Sequence, residues 1–266
     1  MLLHHSLHIP IASSYSHSYK SNRSGYIKFR TRYRENLRYL RALTIIETKT
    51  KGEEVPLPNE VEHIIRTLSF LKSHSFSDGD IPRLKYLTPE LFSTAVSPSD
   101  VEPVFRFLGD ELPATASERH ALILRCPKLL FSDVDLCLRP TLEFLRQVGM
   151  KRCNAHLLNT RVEKLVAKVE FLQELGFSYE EALRACARLP AIFGYDVRNN
   201  LWPKFMFLVK EMERDLDELK RFPQYFGFSL KDRIVPRHLH LKERSVRIPL
   251  NTMLMFSDHK FYAKWI

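Results

Sequence analysis

The sequence predicts an all-α fold, a superhelical solenoid of stacked helical repeats. Its clearest repeat is LPAIFGYDVRNNLWPKFMFL at residues 189–208, where Pro190 and Pro203 lie thirteen residues apart and a Phe-Leu pair follows the second proline. Apolar residues elsewhere follow helical spacing, and no segment alternates as a strand does. The same proline frame recurs at Pro127 and Pro140, at Pro223 and Pro236, and, one residue longer, at Pro89 and Pro103.

The spacing between repeats indicates the size of each unit. The Phe-Leu pairs that begin at Phe107, Phe144, Phe171 and Phe207 are 37, 27 and 36 residues apart, which is enough for two short helices and a turn. A unit of this size cannot bury its apolar face alone and must stack on its neighbours. We therefore predict a continuous solenoid over residues 61–266.

Residues 1–34 have the composition of an organelle transit peptide. They contain six Lys or Arg, seven Ser and no Asp or Glu, and they lack the long apolar stretch of a secretory signal. The serine content favours a plastid, in its stroma or nucleoid, and a mitochondrion is the alternative destination. A disordered basic arm that binds nucleic acid has a similar composition and is the other interpretation.

Residues 35–60 are predicted to be a linker with one short helix around residues 37–46. The repeats begin at residue 61, where apolar residues first recur at the i, i+3, i+4, i+7 positions of an amphipathic helix. The apolar face of this helix comprises Val61, Ile64, Ile65, Leu68 and Leu71.

Prolines and glycines set the predicted helix ends. The first proline of each pair should end the preceding helix, because its ring disfavours helical geometry in the residue before it, and the second should begin or kink the next helix. Gly149 and Gly176 follow FLRQV and FLQEL, where a left-handed residue lets the chain reverse after a helix. Residues 153–176 end like the other units but contain no proline, so they are either a degenerate unit or an insertion.

The net charge of +10 is concentrated at the two ends of the chain. Residues 1–34 carry +6 and residues 231–266 carry +5, so residues 35–230 sum to −1. The position of the cations is therefore more informative than their number. No apolar run approaches the ~18 residues of a membrane span, and we predict no membrane association.

Catalytic signatures are missing from the sequence. The chain has only eight glycines and neither a Gly-rich phosphate loop nor a GxSxG motif. His238 and His240 lie two residues apart, so their rings diverge on a helix and cannot share one metal ion. We predict no enzymatic activity, no cofactor and no metal site. The four cysteines, predicted to be reduced, are Cys126, Cys137, Cys153 and Cys186.

Three stretches carry a resemblance to a known family: residues 124–149, which end in LRPTLEFLRQVG; residues 187–208, ARLPAIFGYDVRNNLWPKFMFL; and residues 219–265, which begin with LKRFPQYFGFSLKDRIVPRHLHL. They resemble the mitochondrial transcription termination factor (mTERF) family, and the C-terminal stretch is similar to its plant, plastid-targeted branch. The resemblance implies a helical superhelix that binds nucleic acid in its groove and acts in organellar gene expression without catalysis. It also implies the organellar transcription machinery as a candidate partner.

Clustered cations are the candidate nucleic-acid ligands, because several fixed positive charges together can track a phosphate backbone. Such residues position the backbone and do not read bases. A solvated helix face is the alternative interpretation. The main cluster is Lys231, Arg233, Arg237, Lys242, Arg244 and Arg247; a helical stripe adds Arg161, Lys164 and Lys168; Arg198, Lys204, Lys151 and Arg152 are lesser candidates.

Aromatic residues of the repeats, Trp202 among them, are predicted to be core, because their spacing matches the apolar frame. Tyr195 and Tyr225, each near a proline turn, are the two that we single out as candidates for stacking on unpaired bases.

The sequence thus predicts a regulator of chloroplast gene expression that binds double-stranded DNA and acts in transcription, including termination. An organellar RNA-binding factor for intron splicing or ribosomal RNA maturation is the first alternative. A protein-interaction scaffold is the second, because helical solenoids also bind peptides in their concave faces.

Overall fold

The computed structural model describes residues 23–46, 56–112, 114–150 and 155–265, with side chains from residue 32 onward except residue 155. Within these ranges the chain is helical and contains no strand, which confirms the predicted all-α class. The α-helices are α1 (Arg23–Ala42), α2 (Pro58–Ser73), α3 (Ile81–Leu87), α4 (Pro98–Asp110), α5 (Ala116–Arg125), α6 (Arg139–Gln147), α7 (Ala155–Leu158), α8 (Val162–Glu174), α9 (Tyr179–Arg188), α10 (Trp202–Met206), α11 (Leu216–Arg221), α12 (Val235–Glu243), α13 (Leu250–Met255) and α14 (Asp258–Lys264).

Each full unit consists of a long helix, a short helix and a 3₁₀ turn. The short helices α3, α5, α9 and α11 each end at a residue with φ between −133° and −145° and ψ near 70°, immediately before the first proline of a pair. This residue has the extended conformation that a following proline favours. The prediction that the first proline ends a helix is therefore confirmed. The 3₁₀ turns are Pro89–Phe92, Pro127–Phe131, Pro190–Gly194 and Pro223–Gly227.

In three of the four pairs the second proline lies at the start of the next long helix, just after a five-residue π-helical segment, whereas Pro103 lies inside α4. Pro140, Pro203 and Pro236 have no N–H to donate to the carbonyl four residues earlier, and their rings crowd that carbonyl. The preceding turn widens, so that the amides of Leu138 and Leu201 donate to carbonyls five residues back. The π segments before these prolines are Val134–Leu138, Val197–Leu201 and Leu230–Ile234, and a further one, Phe207–Glu211, continues α10.

The unit that begins with α6 is a shortened one. Its long helix is α6, but α7 is a single turn that leads directly into α8 with no 3₁₀ turn between them. Omitting that turn accounts for the 27-residue step between Phe144 and Phe171. Only the first part of residues 153–176, which contains α7, is therefore a degenerate unit. The second part is α8, which opens the next complete unit.

Two hydrophobic cores meet at α6. The N-terminal core extends from Leu37 to Leu142 and includes Leu158, whereas the C-terminal core extends from Phe144 to Phe261. One face of α6 contributes Leu142 to the first core, and the adjacent face contributes Phe144 to the second. Cys186 is buried in the C-terminal core, and Cys126 and Cys137 are half-buried free thiols.

Left-handed residues end the long helices, as predicted for two of them. Gly149 has φ +80° and Gly176 has φ +99°. In each case the next residue donates its amide to the carbonyl five residues earlier, that of Leu145 or Leu172, which caps the helix and reverses the chain. A serine, Ser245, takes the same conformation after α12, with φ +52°.

The N-terminal part differs from the predicted linker. Helix α1 begins at Arg23, within the predicted transit peptide of residues 1–34, and ends at Ala42, inside the segment of residues 35–60 where one short helix around residues 37–46 was expected. Leu37 and Leu40 are buried in the N-terminal core, so this part of α1 is packed. Residues 1–22 lie outside the described ranges. None of the described helices is both long and apolar enough to cross a bilayer.

Candidate nucleic-acid interface

Arg237 is a structural residue and not a surface ligand. Its side chain is 1% exposed, and its guanidinium donates to the carbonyl oxygens of Met253 at 2.6 Å and Phe256 at 2.8 Å. It also donates to Asp258 Oδ1 at 2.6 Å, which lowers the pKa of that carboxyl, and its guanidinium lies 4.5 Å from the ring centroid of Phe261. The prediction that Arg237 faces nucleic acid is therefore wrong.

Lys204 occupies the same position, immediately after the second proline, in the preceding unit. Its ammonium group is buried and donates to the Phe226 carbonyl oxygen and to Asn200 Oδ1, both at 2.7 Å. Burial lowers the pKa of Lys204. In the shortened unit the residue in this position is Thr141, fully buried, whose hydroxyl donates to the Thr160 carbonyl oxygen at 2.8 Å. The position thus carries a buried donor that ties the long helix to a later turn, and Lys204 is not a surface ligand either.

Two aromatic assignments are also corrected. Tyr225 is fully buried and donates its hydroxyl to the Lys204 carbonyl oxygen at 2.8 Å, so it cannot stack on a base. Trp202, predicted to be core, is 46% exposed because it precedes Pro203 on the outer side of the helix start. Tyr195 is half-buried, with its ring centroid 5.3 Å from Lys204 Nζ.

Exposed cations lie at the N-terminal ends of three successive long helices. Arg198 and Lys231 are the second residues of their π segments, 33 residues apart, and both are exposed. The 3₁₀ turns that precede these segments contact each other, so the two cations follow from adjacent turns. Arg161, at the N-cap of α8, and Lys164, in its first turn, are exposed at the equivalent end of the preceding unit. We call Arg161, Lys164, Arg198 and Lys231 the N-edge group.

A second group lies at the other end of α12. Lys242, Arg244 and Arg247 are exposed, and we call them the C-edge group. Eleven residues separate Lys231 from Lys242, which is about 16 Å along a helix axis. The single cluster predicted from the sequence therefore divides into two groups at opposite ends of one helix.

Arg233 and Lys168 belong to neither group fully, because each is half-buried. The Arg233 guanidinium lies 5.6 Å from the Phe228 ring centroid and 3.7 Å from Asp258 Oδ1. Its charge is thus partly engaged within the fold. Lys151 and Arg152 lie outside the described residues.

His238 of α12 lies beside the C-edge group. Burial lowers the pKa of His238, and the charges of Lys242 and Arg214 lower it further. The imidazole ring packs edge-on against Phe207 at 5.6 Å between centroids.

The two histidines of α12 do not form a metal site. His240 Nε2 lies 2.5 Å from the Trp265 carbonyl oxygen, whereas His238 faces Phe207. Across the described part of the chain, no three His, Cys, Asp or Glu side chains are grouped to hold a metal ion.

The comparison with protein families bears on the part of the chain that holds both groups. The mTERF family model matches residues 150–262. The chain carries an mTERF domain. This domain covers α7 to α13 and most of α14, and it contains every residue of the N-edge and C-edge groups.

A curated relative supports the same family. The chain is 30% identical over 98 residues to the transcription termination factor MTERF2, chloroplastic, of Arabidopsis thaliana. The match covers 37% of this chain and 15% of the relative. The matched part is thus a small share of that protein's length.

Three further arginines lie near the C-edge group and were not predicted from the sequence. Arg188, Arg214 and Arg221 line one cavity together with Arg247. They lie at the ends of separate helices. Because they are separated in the sequence, their proximity in the fold could not be predicted from it.

Proposed function

We propose that this chain is a nucleic-acid-binding regulator of organellar gene expression, which binds double-stranded DNA in the chloroplast and acts in transcription, including termination. The observation that carries the proposal is the N-edge group, in which exposed cations recur at equivalent helix ends of three successive units. Cations that recur in a repeated register can contact phosphates along one backbone. The mTERF domain that holds them supports the same function.

The chloroplast is proposed on two grounds. Residues 1–34 combine serine and arginine without acidic residues, and the curated relative bears a chloroplastic name. We place the mature protein in the stroma or nucleoid, beside the organellar transcription machinery as its partner. Mitochondrial import is the alternative destination.

RNA is the second candidate target, and one observation favours it. Trp202 exposes nearly half of its surface four residues after Arg198, so an aromatic face and a cation lie close together. Such a pair can stack an unpaired base while the cation holds its phosphate. Structured organellar RNA, such as an intron or ribosomal RNA, would offer unpaired bases, and duplex DNA would not.

A binding titration of the full chain tests the proposal. Matched duplex DNA, single-stranded RNA and structured RNA are titrated at two salt concentrations. We expect duplex DNA to bind most tightly and its affinity to fall steeply with salt, because counterion release drives phosphate binding. Preference for structured RNA would move the function to splicing or RNA maturation. Absence of binding to all three would leave a protein-interaction scaffold.

A further inference from the structure

An arginine-lined cavity of about 630 Å³ lies between α9, α11 and the start of α13. Its volume is within the range of small-ligand pockets. We call it the arginine pocket. The charged residues that line the pocket are Arg188, Arg214, Arg221, Arg247 and Glu218.

Arg214 occupies a position that is apolar in the equivalent units. It follows the left-handed residue Glu213 after its long helix, where other units place Phe76, Phe177 or Val246. Arg214 is nevertheless 7% exposed, and a buried charge is costly unless it is paired. Its Nη1 donates to both oxygens of Glu218, at 2.8 and 3.0 Å. A buried arginine at an apolar position breaks the local pattern of the repeat, and such departures concentrate at functional sites.

The pocket holds more positive than negative charge. Four guanidinium groups line it with one carboxylate, and that carboxylate is engaged by Arg214. Among the described residues, Arg188, Arg221 and Arg247 have no ion-pair partner. Backbone carbonyls orient two of them: Arg221 Nε donates to the Asp217 oxygen and Arg247 Nη2 to the Glu213 oxygen, both at 3.1 Å. The remaining donors of these planar groups stay available for an anion.

The pocket is continuous with the C-edge group. Arg247 belongs to both, and a smaller neighbouring cavity of about 230 Å³ shares Arg214 and Arg247 with the pocket and reaches Lys242. An anionic chain that contacts Lys242 would therefore meet the arginine pocket next. A phosphate group suits the pocket because guanidinium forks bind its oxygens in pairs.

We propose that the arginine pocket binds one phosphate ester group of a nucleic-acid strand, held by Arg188, Arg221 and Arg247 above the Arg214–Glu218 pair. The identity of the strand as nucleic acid rests on the proposed function. The binding of a phosphate group by the pocket does not depend on that function. Strand ends, internal phosphodiesters and free nucleotides share this chemistry.

The test uses inorganic pyrophosphate as the probe and the full chain as the protein. Calorimetric titration compares the unmodified chain with R188Q/R221Q, which removes two exposed cations and leaves the Arg214–Glu218 pair in place. The matched control is R184Q, one turn earlier on α9, where Arg184 is exposed and pairs with Glu180 outside the pocket. We expect R188Q/R221Q to weaken pyrophosphate binding about tenfold or more, because each lost charge-assisted hydrogen bond contributes.

Two oligonucleotides, identical except for a 5′-phosphate, identify the source of the group by competition with pyrophosphate. Competition by the phosphorylated one alone indicates a strand end, and equal competition by both indicates an internal phosphate. If neither competes, the strand is refuted as the source. Equal pyrophosphate affinity of the unmodified chain and R188Q/R221Q, or no binding at all, overturns the pocket itself, whether or not duplex DNA binds. Pyrophosphate binding without nucleic-acid binding would refute the proposed function and leave the pocket.

Discussion

The buried guanidinium of Arg237 should contribute strongly to stability. In Arg237→Ala, the carbonyls of Met253 and Phe256 lose their donor in a place that water reaches poorly. An unsatisfied buried acceptor costs about 1–3 kcal/mol. The ion pair with Asp258 adds less, because that carboxylate is 64% exposed and screened by solvent. We therefore expect a loss of about 3–5 kcal/mol in the free energy of unfolding.

Such a loss is large against the roughly 5–15 kcal/mol that stabilises a typical protein. At about 2–4 °C per kcal/mol for a chain of this size, Tm should fall by about 10 °C. Thermal and urea unfolding of the full chain, followed by far-UV circular dichroism, measures both quantities. Arg237→Lys should lie in between, because an ammonium group can reach one carbonyl but cannot bridge two.

Arg244→Ala is the matched control, since Arg244 lies at the end of the same helix but is exposed. Its removal should change the free energy of unfolding by less than about 0.5 kcal/mol. If Arg237→Ala and Arg244→Ala destabilised the chain equally, the structural role assigned to the residue after the second proline would be refuted.

Two further predictions concern stability. Gly176→Ala should lower the free energy of unfolding, measured in urea, by roughly 1 kcal/mol more than Gly149→Ala does. Both glycines have positive φ, but a Cβ at Gly176 would lie 2.9 Å from Leu216 Cδ2, whereas a Cβ at Gly149 would meet nothing within 4 Å. Equal losses would show that Leu216 moves aside freely. Burial raises the pKa of Cys186 from 9.0 to about 12, because the folded state favours the neutral thiol. The thiol's contribution to the free energy of unfolding is therefore complete below pH 9 and is lost as the pH rises toward 12. By pH 10.5 the loss should be about 2 kcal/mol, and Cys186→Ala should remove this part of the pH dependence; an unchanged alkaline slope in that variant would contradict the assignment.

The repeat frame was predictable from the sequence because backbone chemistry sets it locally. Proline restricts the residue before it, and glycine permits positive φ, so helix ends at Pro190 and Gly176 followed from residue type alone. The π segments were not predicted. They depend on how the chain accommodates the missing N–H of the second proline, and sequence periodicity does not distinguish this from an ordinary turn.

The burial of Lys204 and Arg237 could have been found from helical periodicity. Each lies four residues before a buried leucine of its long helix, Leu208 or Leu241, and residues four apart share a face. Position along the helix, and not charge type, decides the burial of these two side chains. Trp202 is the reverse outcome of the same conflict between residue type and position: its aromatic type favours the core, but its place before Pro203 leaves it exposed.

The arginine pocket was beyond the reach of the sequence. Arg188, Arg214 and Arg221 lie at three separate helix ends, and only the stacking of units brings them to one cavity. One local signal was present: Arg214 breaks the apolar pattern of residues such as Phe177 after the long helices. The π-helical segment Phe207–Glu211 adds one residue to its unit. Arg214 therefore aligns with Phe177 only after the two units are shifted by one position.

We propose that exposed cations in repeated register bind a phosphate backbone, whereas buried cations stabilise the fold. The most direct test measures duplex-DNA affinity against salt concentration for the unmodified chain and for Arg198→Gln combined with Lys231→Gln. Losing two phosphate contacts should reduce the slope of log affinity against log salt by about 1.8 in magnitude, with Tm unchanged. An unchanged slope in a folded variant would contradict the account and remove the N-edge group from the interface.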